Sequence, residues 1–290
     1  MSPTLGCKNS ALSIEAAIRK IDQVSTLPHI AMKVMEVAND PNSGAMDLKE
    51  VMEYDPALST RVLRYVNSSK YGIRNSITSL AQAIAYLGVK QIRNMAITTS
   101  VSELFRDERQ IGPYSRKQLW HHLVSVGVCA RLLAMRRGVS NFEDCFLAGL
   151  LHDIGIVLED QHLHQPFTDV IHSMEEKKTL CQWEREKLSF THTELAYQVV
   201  RRWKFPESIA AAIRYHHQSD KYEGPSQSLV YCVEVANTLC TLKGISSVGK
   251  KLVQFNKKAF EELSLERNDI EVLVADFEEE LQEYSTWFDF

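Results

Sequence analysis

Apolar residues recur at three- and four-residue spacing through most of the chain, and the runs open or close on residues suited to helix ends. Ile14, Ala17, Ile18 and Ile21 follow Ser13 at helical spacing. A second helix is predicted from Pro28, carrying Ile30, Val34, Met35 and Ala38 to the break at Asn39-Asp40-Pro41-Asn42. Asp47 with Glu50 reads as a capping box ahead of Val51 and Met52. Asp55-Pro56 starts a helix through Leu58, Val62, Leu63 and Val66. Ser79 opens another that ends near Gly88, and Gln91 to Leu104 continues in the same style. Gly112-Pro113 is the first clear interruption.

Beyond it, Ser115 and Gln118 form a capping box for a long helix spanning Trp120 to Arg136, which Gly138 can end. The next runs from about Asn141 to His152, with Gly155 following. Thr191 with Glu194 caps a helix carrying His192. Pro206 starts one that reaches His216-His217, and Ser226 to Leu239 makes a further one. From Asn256 onward acids accumulate. There Ile270, Leu273, Val274, Phe277, Leu281 and Tyr284 line one face behind an Asn268/Glu271 capping box. That face predicts a helix docked on the same domain with an acidic outer side, the alternative being a partner-binding helix. Period-two alternation, fixed-period repeats and low-complexity segments are absent, so the expected fold is all-α and bundle-like.

A length of 290 residues allows a sizeable core without covalent staples. Six cysteines, at 7, 129, 145, 181, 232 and 240, form no CxxC pair and read as reduced core residues. The start of the chain shows no basic stretch leading into an apolar one, and no apolar run approaches the roughly 20 residues of a membrane span. A soluble, cytoplasmic protein is expected. The formal charge of −4, with scattered lysines and arginines, disfavours nucleic acid as principal partner. Arg61, Arg64, Arg74 and Arg93 are expected on a solvated face. No Gly-rich phosphate loop or Ser-His-Asp arrangement is present.

The chemistry gathers around His152-Asp153, with His122, His192, His216 and His217 at a distance along the chain. A carboxylate and several imidazoles from separate helices can hold a divalent metal, which polarises a phosphoryl oxygen and acidifies bound water. Each has a plainer alternative. His152 at a helix C-terminus is favoured by the helix dipole without any metal, and Asp153 can pair with it or cap the next turn. His121 reads as an exposed neighbour of His122. His162, His164 and His172 read as surface residues, and His29 as structural.

The segments that carry a family resemblance are ordered along the chain. They are Leu27-Pro-His-Ile-Ala, Met35 to Pro41, Asp55 to Ser68, Tyr71-Gly72 and Ile77 to Gly88, then Trp120-His-His122, Ala148-Gly-Leu-Leu-His-Asp-Ile-Gly155, Phe190-Thr-His192-Thr-Glu and Trp203 through His217. Together, over roughly residues 25 to 240, they resemble the HDOD family. The resemblance implies a bacterial, all-helical domain related to HD metal phosphohydrolases, regarded as a signalling module without demonstrated catalysis. It implies an N-terminal helical lobe (14–110) packed on an HD-like lobe (111–245), between a flexible start (1–13) and C-terminal helices (246–290). In HD phosphohydrolases the pattern is His, then His-Asp, then a distant Asp. By motif these fall on His122, on His152-Asp153, and within Val233-Glu-Val-Ala-Asn237, where Asn237 replaces the acid. An amide oxygen brings no formal charge, so weak binding of a divalent metal, or none, is expected at His122, His152 and Asp153. His192, His216 and His217 are available to compensate.

Two functions stay open on the sequence. One is a non-catalytic regulatory protein that acts through a signalling partner or a small nucleotide ligand, its signal coming from a separate molecule. The other is a metal-dependent phosphohydrolase acting on a nucleotide or cyclic dinucleotide.

Overall fold

The structure, a computed structural model, describes residues 13–23, 29–68, 71, 75–175, 178–249 and 253–284. The expected start at Pro28, Gly72, Arg74, Cys7 and the aromatic tail Trp287 to Phe290 lie outside the described residues. The chain is all-α, as expected. In order come α1 (Ile14–Gln23), α2 (His29–Asn39), α3 (Ala45–Glu53), α4 (Pro56–Val66), α5 (Leu80–Leu87) and α6 (Val89–Ser102). After them follow α7 (Arg116–Arg136), α8 (Phe142–Leu151), α9 (Ile154–His162), α10 (His164–Ser173), α11 (Leu180–Leu188), α12 (His192–Arg202), α13 (Glu207–Tyr215) and α14 (Gln227–Leu242). Finally come α15 (Lys257–Glu262) and α16 (Arg267–Glu283). One strand pairing departs from the helical reading: Gln110–Ile111 and Tyr114–Ser115 pair antiparallel around Gly112-Pro113.

Several helix starts follow side-chain capping as read. Asp55 accepts the Leu58 N–H at 2.9 Å with Pro56 in the first turn, and Thr191 with Glu194 forms a reciprocal box. Two capping assignments move, and a third, at α7, is a single bond from the Gln118 N–H to Ser115 Oγ rather than a reciprocal box. Asp47 is inside α3, its carboxylate accepting the Gly44 N–H at 2.7 Å, and Glu50 takes no part. At α16 the box is Glu266 with Asp269, not Asn268 with Glu271. In both cases the first turn starts earlier because an acid three residues in reaches back to the N-cap N–H.

The N-terminal lobe is built on α6, against which α2, α4 and α5 pack. Asn67, after α4, clamps the returning chain by bonding both the N–H and the carbonyl of Ile77 at 2.8 Å. Helix α6 is buried nearly all round. Its Thr98, Thr99 and Ser100 hydroxyls return to carbonyls one turn back at 2.7, 2.8 and 2.9 Å, so no polar group is stranded. Its other side meets α8, where Arg93 contradicts the solvated-face expectation. Arg93 is 1% exposed and donates from Nη2 to Asp144 at 2.8 Å, because the lobe junction requires a buried charge to be paired there. Arg61 pairs with Glu103, and Arg64 is exposed.

In the HD-like lobe α7, α8, α13 and α14 pack together, α12 bridges α13 and α9, and α1 packs on α9 and α12. A Cβ on Gly149 would lie 2.8 Å from the Cα of Gly127, so α7 and α8 cross backbone to backbone. Four cysteines (129, 145, 232 and 240) are buried free thiols in this core, and Cys181 is half-buried. Helix α16 docks on α7. Arg137, Arg136 and Arg131 meet Asp269, Asp276 and Glu280 in reverse order, which makes the helices antiparallel, and Leu273 and Phe277 are buried beneath. Part of its acid therefore faces inward to basic partners. Among the described residues no helix is long and apolar enough to cross a membrane.

Candidate metal centre

Four helix ends and the second turn of a fifth helix meet at one carboxylate. His152 caps the end of α8, Asp153 precedes α9, His192 opens α12, His216 follows α13, and His122 lies in the second turn of α7. The Asp153 Oδ2 faces His152 Nε2 at 3.3 Å and His122 Nε2 at 3.8 Å. Its Oδ1 faces His192 Nε2 and His216 Nε2, both at 3.1 Å. His217 follows, its Nε2 lying 3.0 Å from that of His216. The structure thus brings His122, His152, Asp153, His192, His216 and His217 together.

Backbone carbonyls fix which ring nitrogen faces inward. His122 Nδ1 is 2.7 Å from the Ile245 carbonyl, His152 Nδ1 is 2.6 Å from that of Gly149, and His216 Nδ1 is 2.9 Å from that of Ile213. A carbonyl only accepts, so each of these Nδ1 atoms carries a proton and each ring turns its Nε2 toward Asp153. Burial reinforces this by lowering the pKa of His122 and of His216 to about 4, and it holds His217 well below the usual range. Burial alone would raise the Asp153 carboxyl. The surrounding imidazoles, His152 first and then His192 and His216, instead hold it well below the usual range.

His192 differs from the other rings. Its Nδ1 lies 2.8 and 2.9 Å from the two oxygens of Glu184 on α11, and its backbone N–H donates to the same carboxylate at 3.0 Å. Burial alone would lower this imidazole, but Glu184, Cys181 and Asp153 together raise it well above the usual range. Behind it lies Glu159, whose carboxyl is pushed well up by burial and then by Glu184, which keeps it protonated. Glu184 and the Ile245 carbonyl were not legible in the sequence, because nothing in their local pattern separates them from ordinary helix and loop residues.

Gly155, which follows the His152-Asp153 pair, is the second residue of α9. A Cβ there would lie 2.1 Å from the His192 carbonyl oxygen, so only glycine lets the α9 backbone approach α12 this closely. Asn237 is fully buried on α14, which packs along α7 and α8. Its Oδ1 accepts from Thr241 Oγ1 at 3.4 Å, and its Nδ2 has no partner. Of the remaining histidines, His121 and His162 are half-buried and His29, His164 and His172 exposed.

The donors fit a divalent cation. His122 Nε2, His152 Nε2, His192 Nε2 and both Asp153 oxygens are buried without a hydrogen-bond partner, a costly arrangement that an ion would relieve. Two sets, His122/His152/Asp153 and Asp153/His192/His216/His217, each place their ligand atoms within 4.8 Å of one another. The carbonyls behind the rings and Glu184 behind His192 are the outer partners that orient metal-binding imidazoles.

An uncharacterized protein of Treponema pallidum (strain Nichols) is 25% identical over 228 residues, 75% of this chain; the alignment spans 42% of that protein, so this chain covers less than half its length. The crystal structure of an HDOD domain protein of unknown function from Geobacter sulfurreducens matches with a TM-score of 0.77 and 27% identity, over 95% of this chain and 97% of that one. A Marinobacter aquaeolei VT8 protein, provisionally named for signal transduction, shares the fold with a TM-score of 0.70 and 24% identity, over 90% of this chain and 57% of that one. The HDOD domain profile matches residues 24–219, and the chain belongs to the HDOD family.

Proposed function

We propose that this chain is a regulatory module of signal transduction, acting in the cytoplasm through contact with a signalling protein or a small nucleotide rather than by turnover. In this reading residues 14–245 form the regulatory unit and residues 246–290 an appended helical element. The observation that carries it is enclosure: His122, His152, Asp153, His192, His216 and Asn237 are all 0% exposed. A phosphoester reaching such a centre would have to part helices whose packing defines the lobe. His217 and Cys181, at its edge, border a cavity of about 440 Å³.

A divalent metal held by His122, His152 and Asp153, with His216 and His192 beside them, would on this reading stabilise the helix arrangement that a partner recognises. Such an ion can also act as a Lewis acid toward phosphoryl oxygen. The four imidazole nitrogens around Asp153 therefore favour a second reading, a metal-dependent phosphohydrolase of nucleotides or cyclic dinucleotides. Asn237 weighs against it, since it supplies no charge to a cation.

Metal-loaded protein incubated with nucleotides and cyclic dinucleotides, in parallel with His152→Ala, separates the two. The regulatory reading expects equal background for both proteins. Metal-dependent turnover abolished in His152→Ala would replace it with the hydrolase.

A further inference from the structure

On the far side of His192 from Asp153, three donors of different kinds meet. Cys181 and Glu184 are three residues apart on one face of α11, and His192 opens α12. Ser189, in the left-handed conformation at φ 70°, ends α11 and turns the chain back so that these first and last positions face each other. Glu184 oxygens lie 2.8 and 2.9 Å from His192 Nδ1, and Cys181 Sγ lies 4.0 Å from the same nitrogen. One ligand atom from each falls within a 4.8 Å sphere of separations.

We propose that Cys181, Glu184 and the Nδ1 of His192 form a second metal site, distinct from the Asp153 centre, that takes a thiophilic divalent cation of the zinc class. Sulfur, nitrogen and oxygen donors together select such an ion over magnesium or calcium. Thiolate and carboxylate offset its two charges. In a tetrahedral zinc site, nitrogen and sulfur ligands stand roughly 3.5 Å apart, given bonds of about 2.0 and 2.3 Å. Adjustments of about half an ångström bring the two separations from Nδ1 to that geometry.

The outer partner is already in place. With an ion on Nδ1, His192 keeps its proton on Nε2 and donates it to Asp153 Oδ1, 3.1 Å away, giving a carboxylate–histidine–metal arrangement. There is also an entry path and a free position. Cys181 borders the 440 Å³ cavity together with Thr179, Gln182, Thr191, His217 and Lys221, so a fourth ligand position opens toward solvent. His192 then serves one site at a time, and the Asp153 centre retains His122, His152 and His216. The inference does not depend on the regulatory reading or on what occupies that centre.

Cobalt(II) added to the metal-free full chain reports a thiolate ligand directly through a sulfur-to-cobalt charge-transfer band in the near ultraviolet. The expected result is one such band, saturating at one equivalent and displaced by zinc. It should vanish in Cys181→Ser, weaken at least tenfold in Glu184→Gln, and persist in His122→Ala/His152→Ala, which disables the other centre. On the unmodified protein, zinc should slow alkylation of Cys181 at least tenfold when modified thiols are mapped by mass spectrometry. A missing band, a band that survives Cys181→Ser or is lost in the double histidine variant, or alkylation indifferent to zinc would each overturn the proposal.

Discussion

Replacing Gly155 with alanine adds one methyl group at the point where the His152-Asp153 segment meets α12. The new Cβ would lie 2.1 Å from the His192 carbonyl oxygen, 2.8 Å from its carbon and 3.0 Å from its Cα. All three are backbone atoms, so no side-chain rotamer relieves the overlap, and α9 and α12 must part by about 1 Å to restore ordinary contact. Alanine gains about 1 kcal/mol over glycine as a helix former. Overpacking against rigid backbone costs about 3 kcal/mol, the upper end for an inserted methyl group, leaving a net loss of about 2 kcal/mol. At a urea slope near 3 kcal/mol per molar, the unfolding midpoint should fall by roughly 0.7 M. The same displacement carries His192 away from Asp153, so affinity for divalent metal should drop as well. A Gly155→Ala protein as stable as the parent, or more stable through helix propensity alone, would refute the close-contact account.

Three further outcomes follow from the structure. Arg93→Ala leaves the buried Asp144 with only Lys90, 3.8 Å away, and should cost about 3 kcal/mol in denaturant unfolding; adding Asp144→Ala should cost much less than a second independent loss, and strict additivity would rule out the coupling. With His122 and His216 at about 4 when folded and 6.5 as the ordinary value, the unfolded chain binds more protons between these limits. Stability from these residues is thus present above pH 6.5 and is lost toward pH 4 by up to about 1.4 kcal/mol per pH unit for each, while His192, raised, contributes the opposite sign; unfolding curves across pH 4 to 7 of the parent and of His122→Ala isolate the effect, and identical slopes would contradict it. Asn237→Asp should raise divalent-metal affinity at least tenfold by calorimetry and lower the stability of the metal-free protein, because a buried carboxylate needs a counter-charge; unchanged affinity would place Asn237 away from the ion.

The local structure was legible in the sequence because helix formation and capping use residues a few positions apart. Asp55-Pro56, Ser115, and Thr191 with Glu194 start helices as their chemistry requires, and the His152-Asp153 pair stands at the end of a helix as read. Where two capping readings missed, the competing acid lay within the same turn. Function-bearing residue types were also visible: every histidine that reaches Asp153 was identifiable by motif, and so was the amide at position 237.

Residues close together along the chain were enough to specify an all-α protein of the HDOD pattern with its imidazoles and one carboxylate in order. Folding in three dimensions decided which of them meet, which nitrogen each presents, and that all but the His217 edge is buried. His122, Asp153, His192 and His216 are tens of residues apart, and they meet through contacts such as Gly127 on Gly149 and Gly155 on His192, where backbone shape sets the distance. Glu184, Cys181 and the Ile245 carbonyl acquire a role only there, because hydrogen bonding and coordination depend on separation in space, which periodicity along a chain does not encode.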